Sequence, residues 1–145
     1  MLTTDQKGAS AELAIAHLAA ELGVGVFKPL TDGERYDLIF DLRPRLVRVQ
    51  CKTAVQSGSV LKIPCYSSRR SRDGFVKRCY DATEVDAIAA YSPELGRYYY
   101  LPLSEIPGRS YVQLRLQPCG NNQRERINWA ANFLLDARLT ALLGP

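Results

Sequence analysis

The chain has 145 residues, of which 46% are hydrophobic and 23% charged, a balance typical of one globular domain with a hydrophobic core. The first ten residues contain no apolar signal-peptide segment, and no apolar run approaches the roughly 20 residues that a membrane-spanning helix needs. The four cysteines form no C-x-x-C pair and His17 is the one histidine, which argues against a zinc site and a disulfide framework. We therefore expect residues 1–145 to form a single domain of an intracellular, cytoplasmic protein that makes no membrane contact.

The charges are unevenly distributed along the chain. Residues 45–78 contain nine basic residues against a single acid, Asp73, whereas the remainder contains ten bases and fourteen acids. Such segregation is typical of a surface that binds a polyanion such as nucleic acid, although it is also compatible with a merely solvated basic face.

The first half of the chain predicts a helix followed by three strands. A helix over residues 4–22 is indicated by Thr3 as N-cap, Gln6 as its capping-box partner and Gly23 just after its end. Turn residues at 31–34 and at 42–45 separate the strands that follow. The predicted strands cover residues 24–30, 35–41 and 46–53.

The second half predicts shorter elements and a closing helix. Residues 57–74 are rich in Ser and Arg and predict a long hairpin or mobile loop, with a short strand around residues 61–66. Beyond it, the pattern predicts a short helix at 75–82, strands at 85–91, 97–103 and 111–117, and an amphipathic helix at 123–143. The fold class expected from this order is α/β, with a mixed central β-sheet flanked by helices.

The strands at 35–41 and 46–53 predict a polar cluster. Strand alternation places Arg48, Gln50 and Lys52 on one face of their strand. If the two strands pair as a hairpin, the midpoint of the 42–45 loop places Asp37 across from Gln50, about 5 Å away at Cβ. Glu12 lies on the flank of the apolar stripe of the first helix, so it borders the same region. These polar side chains therefore predict a site rather than a solvated face.

The predicted cluster has the chemistry of a metal-assisted hydrolase. Asp37, Gln50 and Glu12 supply hard oxygen ligands, which suit Mg²⁺. Lys52 beside such an ion can orient or deprotonate an attacking water, or offset charge that builds up on a phosphorane-like transition state. Metal-assisted phosphodiester hydrolysis is the activity that this set predicts.

The segments KGASAE, ELGVGVFKPL, RYDLIF and VRVQCKT resemble the core of the PD-(D/E)XK nuclease superfamily over about residues 7–54, and more loosely beyond. That superfamily has a restriction-endonuclease-like core, and its metal site uses a helix-borne Glu, an Asp opening the second strand and an acid-x-Lys on the third. The resemblance thus makes Glu12, Asp37, Gln50 and Lys52 the catalytic residues, with Mg²⁺ as cofactor and Mn²⁺ as a substitute. Two departures are Tyr36, where the family usually has proline, and Gln50 in place of an acid, a neutral ligand that binds a cation more weakly than a carboxylate does.

Two subfamilies resemble different parts of the chain. The opening Lys7-Gly8…Glu12 is similar to archaeal-type Holliday junction resolvases, which act in DNA recombination. QCKTA and DATEVDAIAAYSPELGRYYYLPLSEI are similar to group I intron-encoded homing endonucleases, which also contain a Q-x-K sequence. A small chain without an added DNA-reading module favours recognition of a branched DNA shape. The sequence therefore predicts cleavage of four-way junctions by a homodimer or higher oligomer, with a site-specific homing endonuclease from a phage or mobile element as the alternative.

A non-catalytic DNA-binding protein that has lost the chemistry through Gln50 is a further alternative, and an RNA-processing nuclease is less favoured because nothing resembles an RNA module. The contacts expected with DNA are mainly basic. Ser hydroxyls and Arg forks in the 67–72 segment suit phosphate oxygens, Lys7 precedes Glu12 on its helix, and Thr31 occupies a loop where resolvase-like relatives have a small hydroxyl residue near DNA. The predicted DNA-binding residues are Lys7, Thr31, Arg69, Arg70, Arg72, Lys77 and Arg78.

Overall fold

The computed structural model describes residues 1–106, 108–118 and 127–145, with the backbone alone at 69–71. Helix α1 spans Thr4–Glu21, and its predicted capping box is confirmed: Gln6 N donates to Thr3 Oγ1 at 3.2 Å and Thr3 N donates to Gln6 Oε1 at 2.9 Å. Gly23 follows the helix with a φ of +87°, a left-handed conformation that favours glycine. The helix therefore begins and ends where local capping chemistry places it.

The described residues contain ten strands and a second helix. The strands are β1 Gly25–Phe27, β2 Leu38–Asp41, β3 Leu46–Thr53, β4 Val55–Ser57, β5 Val60–Pro64, β6 Tyr66–Ser71, β7 Gly74–Cys79, β8 Ala87–Ser92, β9 Arg97–Pro102 and β10 Tyr111–Arg115. Helix α2 spans Leu135–Leu142, and 3₁₀ turns cover Leu103–Glu105 and Ala130–Phe133. None of the helices within these residues combines the length and apolarity needed to cross a bilayer.

The central sheet has five strands in the order β1-β2-β3-β8-β9. The pair β3–β8 is parallel, whereas β1–β2, β2–β3 and β8–β9 are antiparallel, so the sheet is mixed as predicted. A second sheet has the order β10-β5-β4, and β6 pairs with β7 in a two-stranded ribbon. The α/β fold class is confirmed.

Helices cover one face of the central sheet and the second sheet covers the other. On the helical face, Ile15 of α1 and Leu139 of α2 pack with Phe40 and Val49 of the sheet. On the opposite face, apolar residues of β5 and β10 pack with Ile88 of β8. Gln50 and Lys52 of β3 pair with Ile88 and Ala90 of β8. They therefore lie on the face of the central sheet that the second sheet covers.

Two predicted helices are wrong in whole or in part. The predicted helix at 75–82 is replaced by strand β7, which pairs with β6 around a tight turn at 72–73. The predicted helix at 123–143 begins outside the described residues, and within them it is helical only from Leu135. Residues 127–134 are not α-helical because Trp129 forms a β-bridge with Arg115, and Leu134 forms one with Tyr99. Pairing with strands overrides helix propensity in both places.

Candidate active site

The register of the β2–β3 hairpin places Asp37 across from Gln50, as predicted. Leu38 pairs with Val49, and Asp37 N donates to Val49 O at 2.9 Å, so the pairing extends to Asp37, one residue before the start of β2. The short 42–45 loop fixes this register because it leaves one way to pair the apolar residues of the two strands. Asp37 thus stands at the mouth of the hairpin, where β2 begins.

Asp37 is held by the backbone of the neighbouring strand. Its Oδ2 accepts a hydrogen bond from Cys51 N at 2.9 Å. Partial burial raises the pKa of the Asp37 carboxyl, and the negative charge of Glu12 raises it further, while the Cys51 N–H, Lys52 and Lys28 act in the opposite direction. The charge of Glu12 therefore acts on the Asp37 carboxyl.

Lys28 forms an ion pair with Glu12, its charge also acts on Asp37, and it was not predicted from the sequence. Its Nζ donates to Glu12 Oε1 in an ion pair, which together with the charge of Asp37 raises the pKa of Lys28. Lys28 comes one residue after Phe27, which pairs with Ile39, so it emerges beside the start of β2. That pairing crosses a long loop and could not be read from local sequence.

Lys52 lies on the same side as Asp37, and its charge acts on that carboxylate. Its Nζ donates to Tyr66 O at 2.9 Å and lies 5.3 Å from the centroid of the Tyr80 ring. Burial lowers the pKa of Lys52, while Asp37 opposes that shift. Gln50 is half-buried, and within the described part of the chain its amide makes no hydrogen bond that would compete with a ligand.

Arg35, a second residue that the sequence analysis missed, joins this site to the ribbon. Its guanidinium donates to Ser67 Oγ, to Glu84 Oε2 at 2.9 Å, and to the carbonyl oxygens of Arg78 and Cys79 at 3.3 and 3.0 Å. Its Cζ also lies 4.4 Å from the Tyr80 ring centroid, so Arg35 and Lys52 both contact Tyr80. Burial raises the pKa of the Tyr80 hydroxyl to about 12. The base of the ribbon is therefore fastened to the candidate site.

The predicted DNA-binding residues fall into three groups in the fold. Lys7 is exposed and borders an open cleft of about 360 Å³ that also contains Thr53, the neighbour of Lys52. Thr31 is exposed in the loop before β2. The remaining residues belong to the ribbon.

Within the ribbon, Arg72 and Lys77 are exposed. Arg78 is exposed too but forms an ion pair with Glu84, so part of the basic charge predicted for DNA is neutralised. Arg69 and Arg70 lie in β6, and their side chains are outside the described atoms.

Other polar residues have structural contacts. Asp41 Oδ1 accepts from Arg43 N at 2.9 Å, so this acid stabilises the loop that follows β2. Arg48 forms an ion pair with Asp86, with 3.1 Å between Nε and Oδ2. Cys51 is buried, and burial raises the pKa of its thiol, as expected for an unreactive cysteine.

The oxygen donors at this site fit a divalent cation. Glu12 and Asp37 supply two carboxylates and Gln50 an amide oxygen, which is a set that Mg²⁺ accepts. No group of three or more His, Cys, Asp or Glu side chains with metal-site geometry occurs among the described residues. Gln50 lies across from Asp37 in the β2–β3 pairing, so its amide oxygen is the donor that could join the carboxylates.

A carboxylate on α1, a carboxylate just before β2, and an amide and a lysine on the central strand β3 are groups of the kind that metal-dependent nucleases use. The sequence matches the PD-(D/E)XK endonuclease family over residues 2–136, and the chain belongs to that family. Members of this family generally use divalent metal ions, and the resemblance stated from sequence is confirmed.

A solved structure supports the same fold. The bacterial homing endonuclease I-Ssp6803I is similar to this chain with a TM-score of 0.75 and 28% sequence identity, over 95% of this chain and 93% of that one. The restriction-endonuclease-like fold is thereby confirmed. No curated protein gave a significant match.

Proposed function

We propose that this chain is a Mg²⁺-dependent DNA endonuclease that hydrolyses phosphodiester bonds at a specific site in linear duplex DNA, as a homing endonuclease does. The observation that carries the nuclease activity is the pairing that places Asp37 across from Gln50 and on the same side as Lys52, with the charge of Glu12 acting on Asp37. The preference for a linear site is supported by the similarity to a homing endonuclease along nearly the whole of both chains. This reverses the order of the two substrates that the sequence alone favoured.

Each site residue has a proposed role. Asp37, Gln50 and Glu12 hold the metal ion, which Mn²⁺ can replace, and that ion supplies positive charge against the scissile phosphate. Lys52, anchored on the Tyr66 carbonyl, orients the attacking water and accepts its proton or offsets the negative charge of the transition state. The lowered pKa of Lys52 suits proton transfer because it increases the fraction of neutral amine near physiological pH.

Four-way junction cleavage is the second candidate. It is supported by the Lys7-Gly8…Glu12 order on α1, which is similar to that of archaeal-type Holliday junction resolvases. Either substrate has two strands to cut, so we propose that the single-domain chain acts as a homodimer or higher oligomer with symmetry-related sites. We also propose that it is encoded by a phage or another mobile element and acts in the cytoplasm.

The test is a cleavage assay on a panel of labelled DNA molecules with Mg²⁺. The panel contains four-way junctions of unrelated sequence, flaps, and long linear duplexes that include the DNA flanking its own gene. Cleavage of one linear site supports the homing activity, whereas symmetric nicking of all junctions supports the resolvase.

Two variants of nearby aspartates test the site in this assay, one inside it and one outside it. Asp37→Asn should abolish cutting, while Asp41→Asn should cut at the wild-type rate because Asp41 contacts the backbone of Arg43 instead. If wild type binds DNA but neither cuts it nor binds Mg²⁺ or Mn²⁺, the chain is a DNA-binding protein that has lost the chemistry.

A further inference from the structure

The β6–β7 ribbon has an exposed aromatic residue at its free end. Phe75 is 76% exposed and Val76 is 43% exposed, directly after the turn at 72–73. Among the described strands, β6 and β7 pair with each other alone, so no neighbouring sheet covers this end. An exposed aromatic ring at the free end of a ribbon is placed to contact a bound partner.

The charge of the ribbon identifies the partner. Residues 66–79 contain five basic residues and one acid, Asp73. A second copy of this basic ribbon would be repelled, whereas a polyanion would be attracted. Nucleic acid is therefore the partner whose charge complements this surface.

We propose, on the basis of the proposed DNA endonuclease function, that the free end of the ribbon enters the major groove and that Phe75 contacts base edges there. A two-stranded β-ribbon fits the major groove, and an aromatic ring packs on the C5-methyl group of thymine. A phenyl ring forms no favourable contact with phosphate oxygens, which are the natural partners of Arg72 and Lys77. Phe75 is thus a specificity determinant, distinct from the backbone contacts of its basic neighbours.

The anchoring of the ribbon sets the distance between this contact and the cut. Tyr66, at the base of β6, accepts from Lys52 Nζ, and Arg35 holds the carbonyl oxygens of Arg78 and Cys79 on the other strand. The five-residue rise from Tyr66 to Ser71 spans about 17 Å, at roughly 3.3 Å per residue. That length equals about five base pairs of B-DNA, at roughly 3.4 Å each. The bases contacted by Phe75 therefore lie within about five base pairs of the scissile phosphate.

Photo-cross-linking tests this contact directly. A linear duplex of mixed sequence with 5-iododeoxyuridine in place of thymidine carries its iodine at C5, in the major groove. The full-length protein is bound to it in Ca²⁺, irradiated and digested with trypsin. We expect the tryptic peptide of residues 73–77, DGFVK, to carry the cross-link at Phe75.

Binding of variants to the unmodified duplex separates base contact from phosphate contact. Phe75→Ala should weaken binding about tenfold, as expected for one lost base contact, without changing the salt dependence. Arg72→Ala should lower the slope of log Kd against log salt by about one. Leu142→Ala is the matched control, since this exposed apolar residue lies on α2, on the other face of the central sheet. It should leave binding unchanged.

The outcomes distinguish this inference from the proposed function. Absence of a cross-link at Phe75, wild-type affinity of Phe75→Ala, or a changed oligomeric state of that variant would overturn the groove contact even if cleavage is normal. A cross-link at Phe75 in a protein that cuts no DNA would support the contact and refute the catalysis. Failure of the wild type to bind DNA would refute both.

Discussion

Replacing Asp37 by Asn and by Ala separates its catalytic role from its structural one. The carboxylate has two tasks in this structure, because it is a proposed metal ligand and also accepts a hydrogen bond from Cys51 N at 2.9 Å. Asn keeps an oxygen for that N–H and removes the charge. Ala removes both.

The expected magnitudes differ for activity and stability. Both variants should lose about 10²–10³-fold or more in cleavage rate, as for removal of a principal electrostatic contact in an active site. Asp37→Ala leaves a buried N–H without its acceptor, which costs about 1–3 kcal/mol of unfolding free energy. For a chain of this length that lowers the Tm by roughly 3–10 °C.

Asp37→Asn should be at least as stable as wild type at pH 7 in the absence of metal. The pKa of Asp37 is raised above its ordinary 3.8, so the folded state binds the proton more tightly than the unfolded state. The unfolding free energy of wild type therefore falls as pH rises from 3.8 through the raised pKa. The higher unfolding free energy of Asp37→Asn relative to wild type should therefore appear above this pH interval and vanish below it.

Cleavage of labelled DNA and thermal unfolding between pH 3 and pH 8 measure both effects. Wild-type cutting by Asp37→Asn would refute its role as a ligand. Equal destabilisation of the Asn and Ala variants would refute the role assigned to the hydrogen bond with Cys51.

Three further predictions concern neighbouring residues. Lys52→Met should lower the cleavage rate at least about 100-fold with DNA binding retained. Because folding lowers the pKa of Lys52, the unfolding free energy of wild type should rise with pH between that lowered pKa and 10.5. Urea titrations should show no such rise in Lys52→Met. Gln50→Glu should bind Mn²⁺ about tenfold more tightly in calorimetry but unfold more readily without metal, because the new charge repels Asp37; unchanged affinity would exclude residue 50 as a ligand. Arg35→Ala should lower the unfolding free energy by about 2–3 kcal/mol and accelerate amide hydrogen exchange in the ribbon, because the carbonyl oxygens of Arg78 and Cys79 lose their donor. Exchange in the β2–β3 hairpin should stay as in wild type. Equal acceleration in both regions would contradict the local role of Arg35.

The parts of the fold that could be predicted depend on short-range chemistry. The capping box of Thr3 and Gln6 is encoded within four residues, and it fixes the start of α1. The four-residue loop of the β2–β3 hairpin, together with alternation of apolar residues, fixes the register that brings Asp37 to Gln50. Both predictions were correct because no distant contact was needed to make them.

A long hairpin was one expectation for residues 57–74, but strand β7 itself could not be predicted because residues 74–78 are exposed on both of its faces. Strand β7 therefore lacks the alternation of apolar and polar residues by which a half-buried strand is recognised. Gly74, with a φ of +112° after the turn, was the signal available for a hairpin at this point.

The contacts of Lys28 and Arg35 could not be predicted from the sequence for a different reason. Lys28 contacts Glu12 from 16 positions away, and Arg35 reaches the carbonyls of Arg78 and Cys79 from 43 and 44 positions away. Contacts of this range are created by the packing of the sheet and leave no periodic pattern in the sequence.

The most direct test of a metal site shared by Asp37, Gln50 and Glu12 is calorimetric titration of Mn²⁺ into the wild-type protein, Asp37→Asn and Asp41→Asn. Wild type and Asp41→Asn should bind the ion saturably with equal affinity, and Asp37→Asn should bind at least about tenfold more weakly because a carboxylate ligand is replaced by a neutral amide. Equal binding by all three proteins, or no binding by wild type, would contradict the assignment.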